Sequence, residues 1–138
     1  MLEQTNHDLM LGLGCERDTP AELLERGIES VLSDHGLSAE RVSAIATIDH
    51  KRDEVGLLTL SARRGWPLWF YSAEQLRAAS RGGSEVVLAH VATPAVAEPA
   101  ALLLAGAVEL LVRKTIYTEE GAGRCMTIAV ARRTPTDA

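Results

Sequence analysis

Apolar and polar residues along the chain fall into two alternating periods, and these predict strands and helices in turn. Residues 9–14, Leu-Met-Leu-Gly-Leu-Gly, form an unbroken apolar run that reads as a buried strand ending in a glycine turn. Thr19-Pro20-Ala21-Glu22 reads as a capping box with proline at the first helical position. Across residues 20–35, Leu23, Leu24, Ile28, Val31 and Leu32 share one side of a helix that Gly36 stops. Residues 41–48 are small and β-branched, as in a second buried strand, and residues 49–54, Asp-His-Lys-Arg-Asp-Glu, form the densest polar cluster in the chain. From 52 to 64, Val55, Leu58 and Ala62 recur at helical spacing and Gly65 closes the segment. Residues 66–71 hold most of the aromatics and predict a third strand, with the two tryptophans as core or sheet-covering residues rather than ligand-stacking ones. Ser72-Ala73-Glu74-Gln75 repeats the capping-box pattern and opens a short helix to Ala79.

The second half is less regular. Residues 80–84, Ser-Arg-Gly-Gly-Ser, carry the composition of a flap, and 85–91 read as a short strand or an extended connection. Pro99 fits only the first turn of a helix, so the next helix is predicted from Glu98 to near Val112. Residues 113–118 and 124–132 flank Glu-Glu-Gly-Ala-Gly and predict a β-hairpin, after which 134–138 fray. Strands alternating with helices, closed by a hairpin, predict a single α/β domain over residues 1–138. Its expected architecture is three-layer α/β/α with a mixed sheet.

Composition narrows the function more than the fold. Of the 138 residues 46% are hydrophobic and 24% charged, and the longest apolar stretch, 100–108, is too short to span a bilayer. A net charge of −5 argues against nucleic acid or an acidic membrane as the main partner, because both need a basic field. Cys15 and Cys125 form no C-x-x-C and no metal pair with the scattered histidines, so neither a disulfide, a metal site nor a cofactor is expected. The first residues lack a basic n-region and an apolar secretory core, which predicts a cytoplasmic address.

Residues 12–19, 49–54 and 92–98 each precede a helix, and the first two follow parallel-type strands. They are therefore expected to converge on the carboxyl edge of the sheet, where open α/β sheets bind ligands. Gly12 and Gly14 are read as turn glycines that adopt positive φ and let a ligand approach the backbone. Arg17, Lys51 and Arg52 supply cations, and Glu54 and Glu98 supply carboxylates for acid–base work. The blander alternatives are that Lys51 and Arg52 pair with Asp49, Asp53 and Glu54, and that Glu98 only complements its helix end. Gly12-Leu13-Gly14-Cys15-Glu16-Arg17-Asp18 lacks the third glycine of a dinucleotide fingerprint and the Gly-Lys-Ser/Thr ending of a P-loop, which disfavours a nucleotide. Cys15, beside a helix start and Arg17, has surroundings that lower a thiol pKa, although a packed turn residue is the commoner role.

Three motifs carry a resemblance. Gly12-Leu13-Gly14-Cys15-x-Arg17-x-Thr19 is the first, and Ala46-Thr47-Ile48-Asp49-x-Lys51-x-x-Glu54-x-Gly56-Leu57 the second. The third is Val96-Ala97-Glu98-Pro99-Ala100-Ala101-Leu102, followed by Lys114 before a closing apolar strand. In this order they resemble the CobE/CbiG C-terminal domain family of cobalamin biosynthesis, and the length suits its free-standing members. The resemblance implies a part in building the corrin ring. Two-domain members open the ring-A lactone of a cobalt-precorrin and expel a two-carbon fragment, whereas in the aerobic route of the free-standing members deacylation falls to another enzyme. It also adds Thr47, Asp49, Val96 and Lys114 to the candidate ligand contacts, beside Gly12, Gly14, Cys15, Arg17, Lys51, Arg52 and Glu98. Three functions follow as expectations. One is a carrier or accessory factor that binds a precorrin or corrinoid acid. The second is a hydrolase using Lys51, Glu54 and Glu98, and the third is a docking partner of pathway enzymes that holds no ligand.

Overall fold

The computed structural model describes residues 7–79, 96–107, 109–121 and 123–133. The expectations for 80–84, 85–91 and 134–138 lie outside the described residues, as does most of the loop before Val96. Five strands form one mixed sheet: β1 (Leu9–Cys15), β2 (Val42–Ile48), β3 (Leu68–Tyr71), β4 (Leu110–Thr118) and β5 (Cys125–Arg132), in the order β3-β2-β1-β5-β4. β1, β2 and β3 are parallel; β5 runs antiparallel to β1 and to β4, so β4 and β5 make the hairpin.

Helices α1 (Ala21–Asp34) and α2 (Val55–Arg64) cover one face, and α3 (Ala73–Ala79) and α4 (Ala97–Ala105) the other. The alternation of β1 divides the core between them. Leu9, Leu11 and Leu13 pack with Leu24 and Ile28 of α1 and Leu57 and Leu60 of α2, while Met10 packs among alanines of α4 and β5. The result is a three-layer α/β/α architecture with a thick leucine-rich core on one side and a thin alanine-lined one on the other.

Four expectations are corrected. β1 runs through both glycines to Cys15, and neither Gly12 nor Gly14 has positive φ. A Cβ on Gly12 would overlap the carbonyl of Ala97, so this glycine is needed for α4 to lie against the strand. The capping box at Thr19 does not form: Pro20 occupies the N-cap, and the Thr19 hydroxyl donates to the Glu16 carbonyl at 2.7 Å, closing the turn instead. α2 begins at Val55 after a 3₁₀ turn (Asp49–Lys51), and its buried face is Gly56, Leu57 and Leu60; Val55 is 71% exposed. α4 stops at Ala105, with Gly106 in the left-handed region at φ 65°, and Val112 already belongs to β4. The tryptophans also part company: Trp66 is buried in the core, whereas Trp69 on edge strand β3 is 52% exposed.

Candidate functional site

The carboxyl ends of β1, β2 and β3 lie at one edge of the sheet, and β5 begins there with Met126 opposite Cys15. Val96, at the start of α4, sits over Gly14. Between them is a hollow of about 260 Å³ lined by Gly14, Cys15, Val96, Lys114, Met126 and Thr127, with Glu16 and Cys125 at its rim.

Two of the three loops expected to converge, 12–19 and 49–54, are tied to each other by specific bonds, and of the third only residues 96–98 are described. Glu54, only 2% exposed, accepts the backbone N–H of Asp18, a residue with φ 63°. Its other oxygen lies 3.2 Å from the Arg17 guanidinium and is buried without a hydrogen bond among the described residues. Arg17 donates to Asp53 at 3.4 Å and holds that carboxyl below its ordinary range. Thr47, buried in β2, donates its hydroxyl to the Leu13 carbonyl at 2.8 Å. A Cβ on Gly56 would overlap the Thr19 carbonyl, so the start of α2 presses directly on the loop after β1.

Several candidate contacts are thus engaged within the protein. Gly12 lies beneath α4, Thr47 ties two strands, Arg17 is paired, and Arg52 stacks over Phe70 at 4.8 Å. Asp49 opens the 3₁₀ turn and accepts the Arg52 N–H through its carbonyl at 3.1 Å. Glu98 stands in the first turn of α4 and accepts the backbone N–H of Lys114 at 2.8 Å. The cations left are the ammonium groups of Lys51 and Lys114, which make no hydrogen bond or ion pair among the described residues. Lys51 lies near enough to Cys15 for its charge to pull the thiol pKa down, but burial pushes it further up, to about 11, helped by Glu54. That balance is the one for a packed residue, the commoner of the two roles weighed for Cys15, rather than for an activated thiol.

A reading of the sequence alone misses Cys125, Met126 and Thr127 as lining residues. Their place depends on β5 returning between β1 and β4, a pairing that the hairpin pattern does not specify. A larger hollow of about 590 Å³ lies at the opposite edge, near Val42, Ser43, Arg64 and Trp66. Its guanidinium is already held: Arg64 bonds Glu25 and Glu29 at 3.3 and 2.9 Å and stacks on Trp66. Among the described residues no group of histidine, cysteine and carboxylate side chains is arranged to hold a metal, and no helix is long and apolar enough to cross a membrane.

Comparison with known proteins agrees with this architecture. The family model described as Cobalamin synthesis G C-terminus matches residues 9–131. The chain is 39% identical over 113 residues to Protein CobE of Sinorhizobium sp, covering 80% of this chain and 73% of that protein. It is 37% identical over 110 residues to the cobalt-precorrin-5A hydrolase of Priestia megaterium, covering 78% of this chain but spanning only 29% of the hydrolase. A crystal structure of CobE, a protein from the cobalamin (vitamin B12) biosynthetic pathway, superposes with a TM-score of 0.73 at 34% identity, over 90% of this chain and 89% of that one. The chain therefore belongs to the cobalamin synthesis G C-terminal family and is a cobalamin biosynthesis protein of the CobE/CbiG C-terminal type.

Proposed function

We propose that this domain binds a precorrin or corrinoid acid at the carboxyl edge of its sheet and acts as a carrier or accessory factor in corrin ring synthesis. The observation that carries the reading is a pair of lysines, Lys114 lining the hollow and Lys51 within electrostatic reach of Cys15 in its wall, whose ammonium groups make no hydrogen bond or ion pair among the described residues. A macrocycle rimmed by acetate and propionate groups needs separated cation donors around an apolar surface, and this edge offers both. The hollow, about 260 Å³, is smaller than the roughly 300–1,000 Å³ of pockets that enclose a drug-sized ligand. It would grip one side of the ring and leave the remainder exposed, which suits a ligand passed between pathway enzymes.

The hydrolase reading draws on the named activity of the longer relative, most of which this chain does not span. Of its three proposed catalytic groups, Glu54 and Glu98 each accept a backbone N–H, and the Lys51 ammonium makes no hydrogen bond or ion pair among the described residues. Each carboxylate thus has a structural bond on one oxygen that accounts for its place without a catalytic role, and this supports binding over turnover.

The test is a titration with pathway precorrins and corrinoid acids, followed by their visible absorbance through desalting. Bound colour should be retained, affinity should fall as salt rises, and Lys51→Ala and Lys114→Ala should each weaken binding about three- to tenfold, as expected for partly screened charge-assisted contacts. Affinity indifferent to salt and to both substitutions, or a ligand mapped to the hollow beside Trp66, would overturn the site. Release of a two-carbon product would move the assignment to the hydrolase.

A further inference from the structure

We propose that Glu98 is a positioning residue that aims Lys114 at the hollow, an inference that rests on the reading of Lys114 as a ligand contact. The β4–β5 ladder slips at this point. Val112 pairs with Val130 and Thr115 with Ile128, so Arg113 and Lys114 together stand against Ala129 alone. A bulge of this kind takes a residue out of the regular ladder and re-aims its side chain. The N–H of Lys114 donates to Glu98 Oε2 at 2.8 Å, and Lys114 itself lines the hollow with Gly14, Val96 and Thr127.

The carboxylate is well placed for such a role. It projects from the first turn of α4, beside the buried Ala97, Pro99, Ala100 and Ala101, on a helix pressed against β1 at Gly12. A support on that helix has little freedom to move. Glu98 also binds the main chain of Lys114 rather than its ammonium; no ion pair to that ammonium exists among the described residues. The lysine is oriented by a carboxylate that does not consume its charge, so the charge remains available to an acid on the ligand rim.

The experiment has two arms, using dicyanocobyrinic acid, a coloured corrin polycarboxylic acid, as the probe. In the first, amide exchange at Lys114 is followed by NMR in the ligand-free protein. Glu98→Ala should speed exchange at Lys114 at least tenfold, whereas Glu98→Gln, whose amide oxygen can accept the same bond, should keep it within threefold of wild type. In the second, probe affinity is measured in a double-mutant cycle. Glu98→Ala should weaken binding three- to tenfold, Glu98→Gln should restore most of it, and Glu98→Ala should cost nothing further once Lys114 is already alanine. Unchanged Lys114 exchange in Glu98→Ala, equal losses for the alanine and glutamine variants, or full additivity with Lys114→Ala would overturn the positioning role while leaving the site intact. Wild-type affinity in Lys114→Ala would instead remove Lys114 from the site, and the positioning role with it, even if Lys51→Ala still weakens binding.

Discussion

The thiol of Cys15 shows how local charge and burial compete at one residue. Lys51 and Arg17 favour the thiolate, but the side chain packs against the leucine core, and burial outweighs them and pushes the thiol up to about 11. At pH 8 the Cys15 peptide should therefore resist iodoacetamide while a denatured sample is fully alkylated, and its rate should climb only as pH approaches about 11; peptide mapping by mass spectrometry reads this directly. Rapid modification at neutral pH would mean that the lysine dominates. Residue types at this edge were legible from sequence, because strand-ending turns with Lys, Arg and Glu stand out in an acidic chain. Their partners were not. Nothing local to Glu54 says that its carboxylate turns inward to the Asp18 amide, and nothing local to Thr47 says that its hydroxyl reaches the Leu13 carbonyl, since both partners lie more than thirty residues away.

At the scale of elements, three sequence motifs turn out to be parts of one interlock. Gly12 admits the backbone of Ala97 and Ala101, Gly56 admits that of Thr19, and Glu54 fastens the loop between β1 and α1. Gly12→Ala should therefore destabilise the domain by about 3 kcal/mol, the upper part of the overpacking range, because the atoms it meets are backbone and cannot rotate away. Urea unfolding with an unchanged m-value is the measurement, and a loss below about 0.5 kcal/mol would mean that α4 can lift off the sheet at little cost. Helix α1 was readable because Leu24, Ile28, Val31 and Leu32 recur three and four apart and are large. In α2 the eye is drawn to Val55 and Leu58, while the face that packs contains Gly56, which has no hydrophobicity to reveal it. The end of α4 was overrun for a related reason: leucines and alanines continue on both sides of Gly106, whose left-handed backbone ends the helix.

Across the whole molecule, the end of the sheet opposite the candidate site is fastened by one carboxylate. Asp8 accepts two bonds from Arg41, at 3.0 and 2.8 Å, and one from Arg132 at 3.1 Å, joining the start of β1 to the approach of β2 and the end of β5. The Arg41 bond holds the Asp8 carboxyl below its ordinary 3.8, so the group's contribution is complete above that value and is lost as pH falls through the lowered one. Asp8→Asn should cost about 1 kcal/mol at neutral pH, given partial exposure, and the gap between the two proteins should narrow in acid unfolding curves once pH falls below the ordinary 3.8 and through the lowered value. A gap that persists into strong acid would show that the asparagine fails for reasons other than charge. The mixed sheet and its two helical layers follow from the period of the chain, but the strand order does not, because β5 slots between β1 and β4 and pairs Leu9 with Arg132. That pairing governs how the protein can be made. As the chain leaves a ribosome, β1 at the centre of the sheet holds one open edge until β5 has been synthesised, so vectorial folding stalls short of the native state and the last hydrogen-bond ladder closes the longest loop in the chain.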